Sequence, residues 1–146
     1  MPAIDDLLQT SDLLAEHLRG LPVLANVEVI VNRQKDLENE ISQALAPLSG
    51  AAVVVEPISG TMPDPTGKTL NFRHNYVISL WSSPILQEPN VTPASVRVVA
   101  IMKALHHWRP APSTQPMHRM EVTGWGINSD PAYLIYAIEA RLTEIV

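Results

Sequence analysis

Between Asn71 and Ser83 the chain alternates in character. Phe72, Tyr76, Ile78 and Leu80 fall on one side, and Arg73, Asn75 and Ser79 on the other. Successive side chains of a strand point to opposite faces, so this pattern predicts a strand with one buried face. Other elements fall on both sides of it. Ile4, Leu7, Leu8, Leu14 and Leu18 recur at helical spacing. They predict a helix from Ile4 to Leu18 with Asp5 and Asp6 in its first turn, stopped by Gly20 and Pro22. A start with Ser11 as N-cap is the alternative.

Val27–Val31 is rich in β-branched residues and reads as a short strand. Leu37, Ile41, Ala44, Leu45 and Leu48 predict a helix over Asp36–Ala46, closed by Pro47 and Gly50. Ala51–Glu56 is apolar at alternate and intervening positions alike, as in a strand covered on both faces. Pro57–Leu70, crowded with Pro, Gly, Ser, Thr and Asp, is expected to be a loop that cannot hold a ladder. It would join the second strand to the alternating one as a long-tipped hairpin.

Pro84–Thr92 reads as another loop. Thr92 as N-cap and Pro93 at the first helical position open a helix whose core face is Val98, Ile101, Met102, Leu105 and Trp108. Arg97, Lys103 and His107 lie off that face, and Pro110 ends it. Pro110–Pro116 is a connector, Met117–Trp125 a strand, and Gly124 to Pro131 a turn region. Ala132–Val146 supports two patterns. As a helix it shows a stripe of Leu134, Ile138, Leu142 and Ile145. As a strand it alternates without a break from Ala132 to Leu142, which favours a strand paired with Met117–Trp125.

Together these elements predict an α+β fold: a mixed, mainly antiparallel sheet of about four to five strands with helices packed on it, in a single domain over residues 1–146. Composition adds limits. The chain is 46% hydrophobic and only 17% charged, against a usual ~25%, which leans toward self-association. Its net charge of −5 argues against a nucleic-acid-binding surface driven by phosphate neutralisation, and no sequence-specific nucleic-acid partner is expected. With no cysteine there is neither a disulfide nor a thiolate metal site. The acidic start lacks the basic and apolar regions of a secretory signal, and the apolar run Ala51–Val55 is too short to span a bilayer, so no membrane association is expected.

Little in the chain resembles catalytic machinery. Gly67-Lys68-Thr69 matches the end of a phosphate-binding loop, but Met62 stands where the first glycine is needed, and Pro63 and Pro65 remove two N–H donors. A strand follows it where a helix is required. His106 and His107 are adjacent, and neighbours on a helix diverge by about 100°, which does not suit a shared metal. There is no G-x-S-x-G and no H-E-x-x-H, and Ser82-Ser83 reads as a turn. No catalytic, metal or cofactor residue is therefore assigned, and the chain is not expected to be an enzyme. A small ligand-binding or enzymatic domain, with polar groups such as His74, Arg73 or Asp64 in a pocket, is the alternative reading. Of the three tryptophans, Trp81 and Trp108 are expected to pack, and Trp125, between two glycines, to protrude toward a partner.

The order of elements resembles that of the tail terminator or tail-completion proteins of tailed bacteriophages. An N-terminal helix comes first, followed by an α–β stretch ending in AAVVVEP and a long loop. The strand HNYVISLW, the helix PASVRVVAIMKALHHW and a strand pair ending YLIYAIEARLTEIV complete it. The resemblance implies a structural virion protein, assembled in the bacterial cytoplasm, that forms a homo-oligomeric ring, usually a hexamer. Its partners would be a tail tube protein on one side and a head–tail connector protein on the other, with no enzyme activity and no cofactor. Another connector or tail-morphogenesis role would fit the same layout. Subunits in a ring meet through two different patches. Trp125 and Trp81 are candidate interface residues, with Asp64 and Lys68 on the long loop and Arg73 at its base.

Overall fold

The computed structural model describes residues 9–32, 41, 43, 51–61, 71–82, 93–110, 119–129 and 133–145. Helix α1 spans Gln9–Arg19, and a 3-10 turn follows at Pro22–Leu24. The strands are β1 (Glu28–Val31), β2 (Ala51–Thr61), β3 (Asn71–Ser82), β4 (Met120–Ser129) and β5 (Leu134–Ile145); α2 spans Ala94–Leu105 between β3 and β4. The fold is α+β. Its five-stranded sheet has the order β1-β2-β3-β5-β4, with β1 parallel to β2 and every other pair antiparallel.

The alternating stretch is the middle of this sheet. β3 pairs with β2 from Ser82 back to Arg73 and with β5 along its whole length. Its Tyr76, Ile78 and Leu80 face α1 and α2, together with Val53 and Val55 of β2 and with Ile138, Ala140 and Leu142 of β5. Leu14 and Leu18 of α1 and Val98, Ile101 and Leu105 of α2 close this core from above. Each fully buried aliphatic side chain here contributes about 1.5–3 kcal/mol relative to exposure.

The opposite face carries a smaller cluster of Ile30, Ala52, Val54 and Ile41, with Trp81 and Tyr133 packed against it. This second cover explains why Ala51–Val55 is apolar at every position. Ile41 and Gln43 are helical, in the connection that crosses between the parallel strands. The rest of the predicted helix Asp36–Ala46 lies outside the described residues, as do Ile4 and the start of the first helix.

The helical layer is tied together by specific contacts. His17 stacks on Trp108 with ring centroids 5.0 Å apart, and its Nε2 lies 3.0 Å from the Ala104 carbonyl. Arg97, expected off the core face, is buried, and its Nε donates to the Val23 carbonyl at 3.1 Å. Burial lowers the pKa of this guanidinium from its ordinary value.

Several boundaries differ from the sequence reading. Pro57–Thr61 is strand, not loop, and β2 continues through an irregularity between Pro57 and Ser59. By alternation from Val55, whose carbonyl accepts from Asn32 N–H toward β1, Pro57 turns its nitrogen to the outer rim, where no ladder bond is lost. Ser11 lies inside α1 and does not cap it, and Pro93 occupies the N-cap of α2; Thr92 lies outside the described residues. α2 ends at Leu105 and does not reach Trp108. His106 is extended and His107 has φ 66°, a left-handed turn that brings Trp108 back along β4. Gly124–Ser129 extends β4 where a turn was expected. Leu134–Ile145 is a strand, so the helical alternative is excluded.

Candidate interaction edge

A sheet of five strands has two rims, and bare backbone on a rim is a template for another chain. At the β1 rim the strand is four residues long, and Arg19 Nη2 donates to the outward carbonyl of Val29 at 2.9 Å. A cleft of about 400 Å3 opens there, lined by Asp12, Arg19, Glu28 and Gln43 among others. Arg19 is held in it from two sides, since Nη1 also donates to Glu16 at 2.6 Å. Where β2 runs beyond β1, Pro57 and the irregularity after it interrupt the rim.

The β4 rim divides into two parts. Its first part is covered by the segment after α2. His107 N–H donates to the Met120 carbonyl at 2.7 Å, and Met120 N–H donates to the Trp108 carbonyl at 2.7 Å. Val122 N–H donates to His106 Nδ1 at 3.3 Å. The His106 and His107 rings stack 4.0 Å apart, which makes the pair a small structural clamp on the strand. His107 is exposed, yet its pKa is lowered from the ordinary histidine value. Desolvation is the largest cause, followed by the positive charges of His106 and Arg119, with Glu121 opposing.

Beyond a register shift between Val122 and Gly124 this cover from the segment after α2 ends among the described residues. A bulge of this kind bends a strand and re-aims the residues beyond it. No described strand flanks Gly124–Ser129 on its outer side. Met120 and Val122 point their N–H groups outward, and Gly124, Gly126 and Asn128 take the inward positions opposite Glu139, Ala137 and Ile135. The outward backbone groups of this stretch are therefore those of Trp125 and Ile127.

Their side chains lie on the helix-bearing face, in register with buried Ile138 and half-buried Tyr136, but the helices stop short of this corner. Trp125 is 61% exposed and Ile127 55% exposed. The protrusion of Trp125 matches the sequence expectation, although its backbone is strand. Ile127 was missed because the segment was read as a turn. Its only signal is the pair Trp125-x-Ile127, which is out of phase by one residue with Met120 and Val122 because the bulge between Val122 and Gly124 resets the alternation.

The other predicted site residues scatter. Trp81 is half-buried on the opposite face, edge-on to Tyr133 at 5.8 Å, with Nε1 donating to Ser79 Oγ at 3.0 Å. Asp64 and Lys68 lie outside the described residues, together with the whole Gly67-Lys68-Thr69 tip. Arg73 and His74 are consecutive in β3 and so point to opposite faces; they do not line one pocket. His74, a pocket group in the alternative reading, is buried beside Tyr76 in the sheet's central strand. Among the described residues no group of three or more His, Asp or Glu could hold a metal ion. None of the described helices is long and apolar enough to cross a membrane.

What this geometry defines is an α+β domain in which one apolar stretch of sheet edge is uncovered among the described residues. No protein-family model matches the chain, and no curated protein shows detectable similarity to it.

Proposed function

We propose that the chain is a structural subunit of a phage-type tail terminator. In this reading it assembles as a ring, with six subunits expected, at the end of a tail tube. One side of the ring meets the tube protein and the other the head–tail connector, within a virion assembled in the bacterial cytoplasm. The subunit acts by shape and contact, with no catalytic step and no cofactor.

One observation carries the proposal. Among the described elements, central strand β3 is followed by α2, which packs over the mixed sheet, and the last strand β5, bearing Tyr136 and alternating apolar positions, returns beside β3. This is the element order on which the resemblance rests. The low charge and the exposed Trp125 and Ile127 are consistent with a subunit that is completed by assembly.

The experiment is to mix purified protein with isolated tail tubes and image the ends by negative-stain electron microscopy, with mass photometry of the protein alone. Closed rings, and a cap at one end of the tube, are expected. Protein that stays monomeric at high concentration and leaves tube ends bare would sink the reading.

A further inference from the structure

The open half of β4 reads Thr123-Gly-Trp-Gly-Ile-Asn-Ser129 and contains no charged residue, in a chain whose net charge is −5. The nearest charge along the strand, Glu121, is engaged by Arg141 at 3.2 Å on the neighbouring strand. Lysines, prolines and inward charges are the usual devices that keep a sheet edge from pairing. This chain uses such devices on its other rims: Arg19 on β1, Pro57 on β2, and the His106–Trp108 segment on the start of β4. From Gly124 to Ser129 none is present among the described residues.

The stretch is also complementary to itself. Laid antiparallel on a second copy about a two-fold axis at Gly126, Trp125 falls opposite Ile127 of the copy. Gly124 then meets Asn128, and Thr123 meets Ser129. Apolar Trp125 meets apolar Ile127 on both sides of the axis, and no like charges are opposed. Trp125 and Ile127 are the residues whose N–H and C=O groups point outward, so each such pair exchanges two backbone hydrogen bonds. Aromatic against β-branched is among the favourable cross-strand pairs.

Gly126 sits at the axis. A Cβ built there meets nothing within 4 Å, so the fold itself leaves that space open. We infer that two copies of this chain join through β4, antiparallel about Gly126, to make one continuous sheet across both subunits. The contact is isologous. It pairs chains two at a time and goes beyond the ring reading, whose subunits meet head to tail.

A two-fold at Gly126 makes it a non-hydrogen-bonded pair with Cα atoms about 4.5 Å apart, within the ~4.4–6.8 Å range that a disulfide bridges. The chain has no cysteine of its own, so Gly126→Cys supplies a clean probe. Under mild oxidation most Gly126→Cys protein is expected as covalent dimer on a non-reducing gel. Ser95→Cys, on the exposed side of α2, controls for collision, and should cross-link at least tenfold more slowly.

Adding Ile127→Lys to Gly126→Cys should cut the yield at least tenfold, with an unchanged circular dichroism spectrum showing that the fold persists. Cross-linking no faster than Ser95→Cys overturns the inference. So does loss of tube capping in Ile127→Lys with no cross-link in Gly126→Cys, which would give the edge to the tube protein. Rings on tube ends are scored separately: a cross-linked dimer that never forms rings keeps the pairing and removes the tail-terminator reading. Rings without the cross-link do the reverse.

Discussion

Ile78 is fully buried in β3, paired across to Val55 on one side and Ile138 on the other, under the helices. Aspartate there would place a carboxylate among aliphatic side chains with no partner. Ile78→Asp is expected to lose at least about 4 kcal/mol, enough to unfold a domain of ordinary stability. The measurement is soluble yield and urea denaturation; an unchanged midpoint would mean that the facing of β3 is wrong. Arg97 presents the opposite situation, a buried cation whose Nε holds the Val23 carbonyl. Arg97→Met preserves volume but leaves that carbonyl without its donor. It is expected to cost about 1–3 kcal/mol in the same assay.

At the scale of elements, the turn after α2 decides what β4 can do. His106 and His107 convert a helix end into a cover for the strand. The folded state holds His107 below its ordinary pKa, so the unfolded chain binds more protons across the window between the two values. Stability therefore rises with pH through that window, and falls as pH drops from neutral below about 6.5. His107→Asn removes the titration while tolerating the left-handed backbone. The acid-side loss in urea midpoint is expected to be smaller in this variant than in the parent; equal losses would place the effect elsewhere.

This turn also shows what the sequence concealed. Alternation over Tyr76–Leu80 and Ala132–Leu142 revealed both central strands, because a half-buried sheet imposes period two directly on the residues. The expected α+β class and both hairpins follow from those strands. Pro57 and the Gly124-Trp125-Gly126 triplet concealed strand, since proline and glycine mark turns locally but are compatible with rims and bulges. Arg97 looked like a surface charge because nothing in its neighbourhood announces the Val23 carbonyl, which the fold brings to it from the 3-10 turn. The interaction edge was half visible: Trp125 stood out by type, while Ile127 gained meaning only once both were on one strand.

For the molecule as a whole, the four rim stretches are treated unequally. Three are shortened, interrupted or covered, and one is left apolar and uncharged. Either assembly, the ring or the two-fold pair, would use that asymmetry, which makes the mass of Ile127→Lys against the parent the most economical comparison. The parent is expected to be at least twice as heavy at micromolar concentration. Val96→Lys, an exposed apolar position on α2, should match the parent.

The seam between β3 and β5 has a further consequence. β2–β3 and β4–β5 are hairpins between neighbours in sequence, but the middle of the sheet pairs Asn71 with Ile145 and Ser82 with Leu134. Closing a pairing that distant requires loop-closure entropy to be lost before any contact compensates, which slows folding. The two hairpins are therefore expected to form early and the seam to close last. Ile138→Val, at the seam, should slow refolding in stopped-flow fluorescence more than a substitution of equal equilibrium cost in α1. Until the seam closes, β3 and β5 each carry a long bare apolar edge, and chains in that state are prone to join one another. Refolding yield should then fall as protein concentration rises, set by how long the chain waits half-zipped and not by how stable it finally becomes.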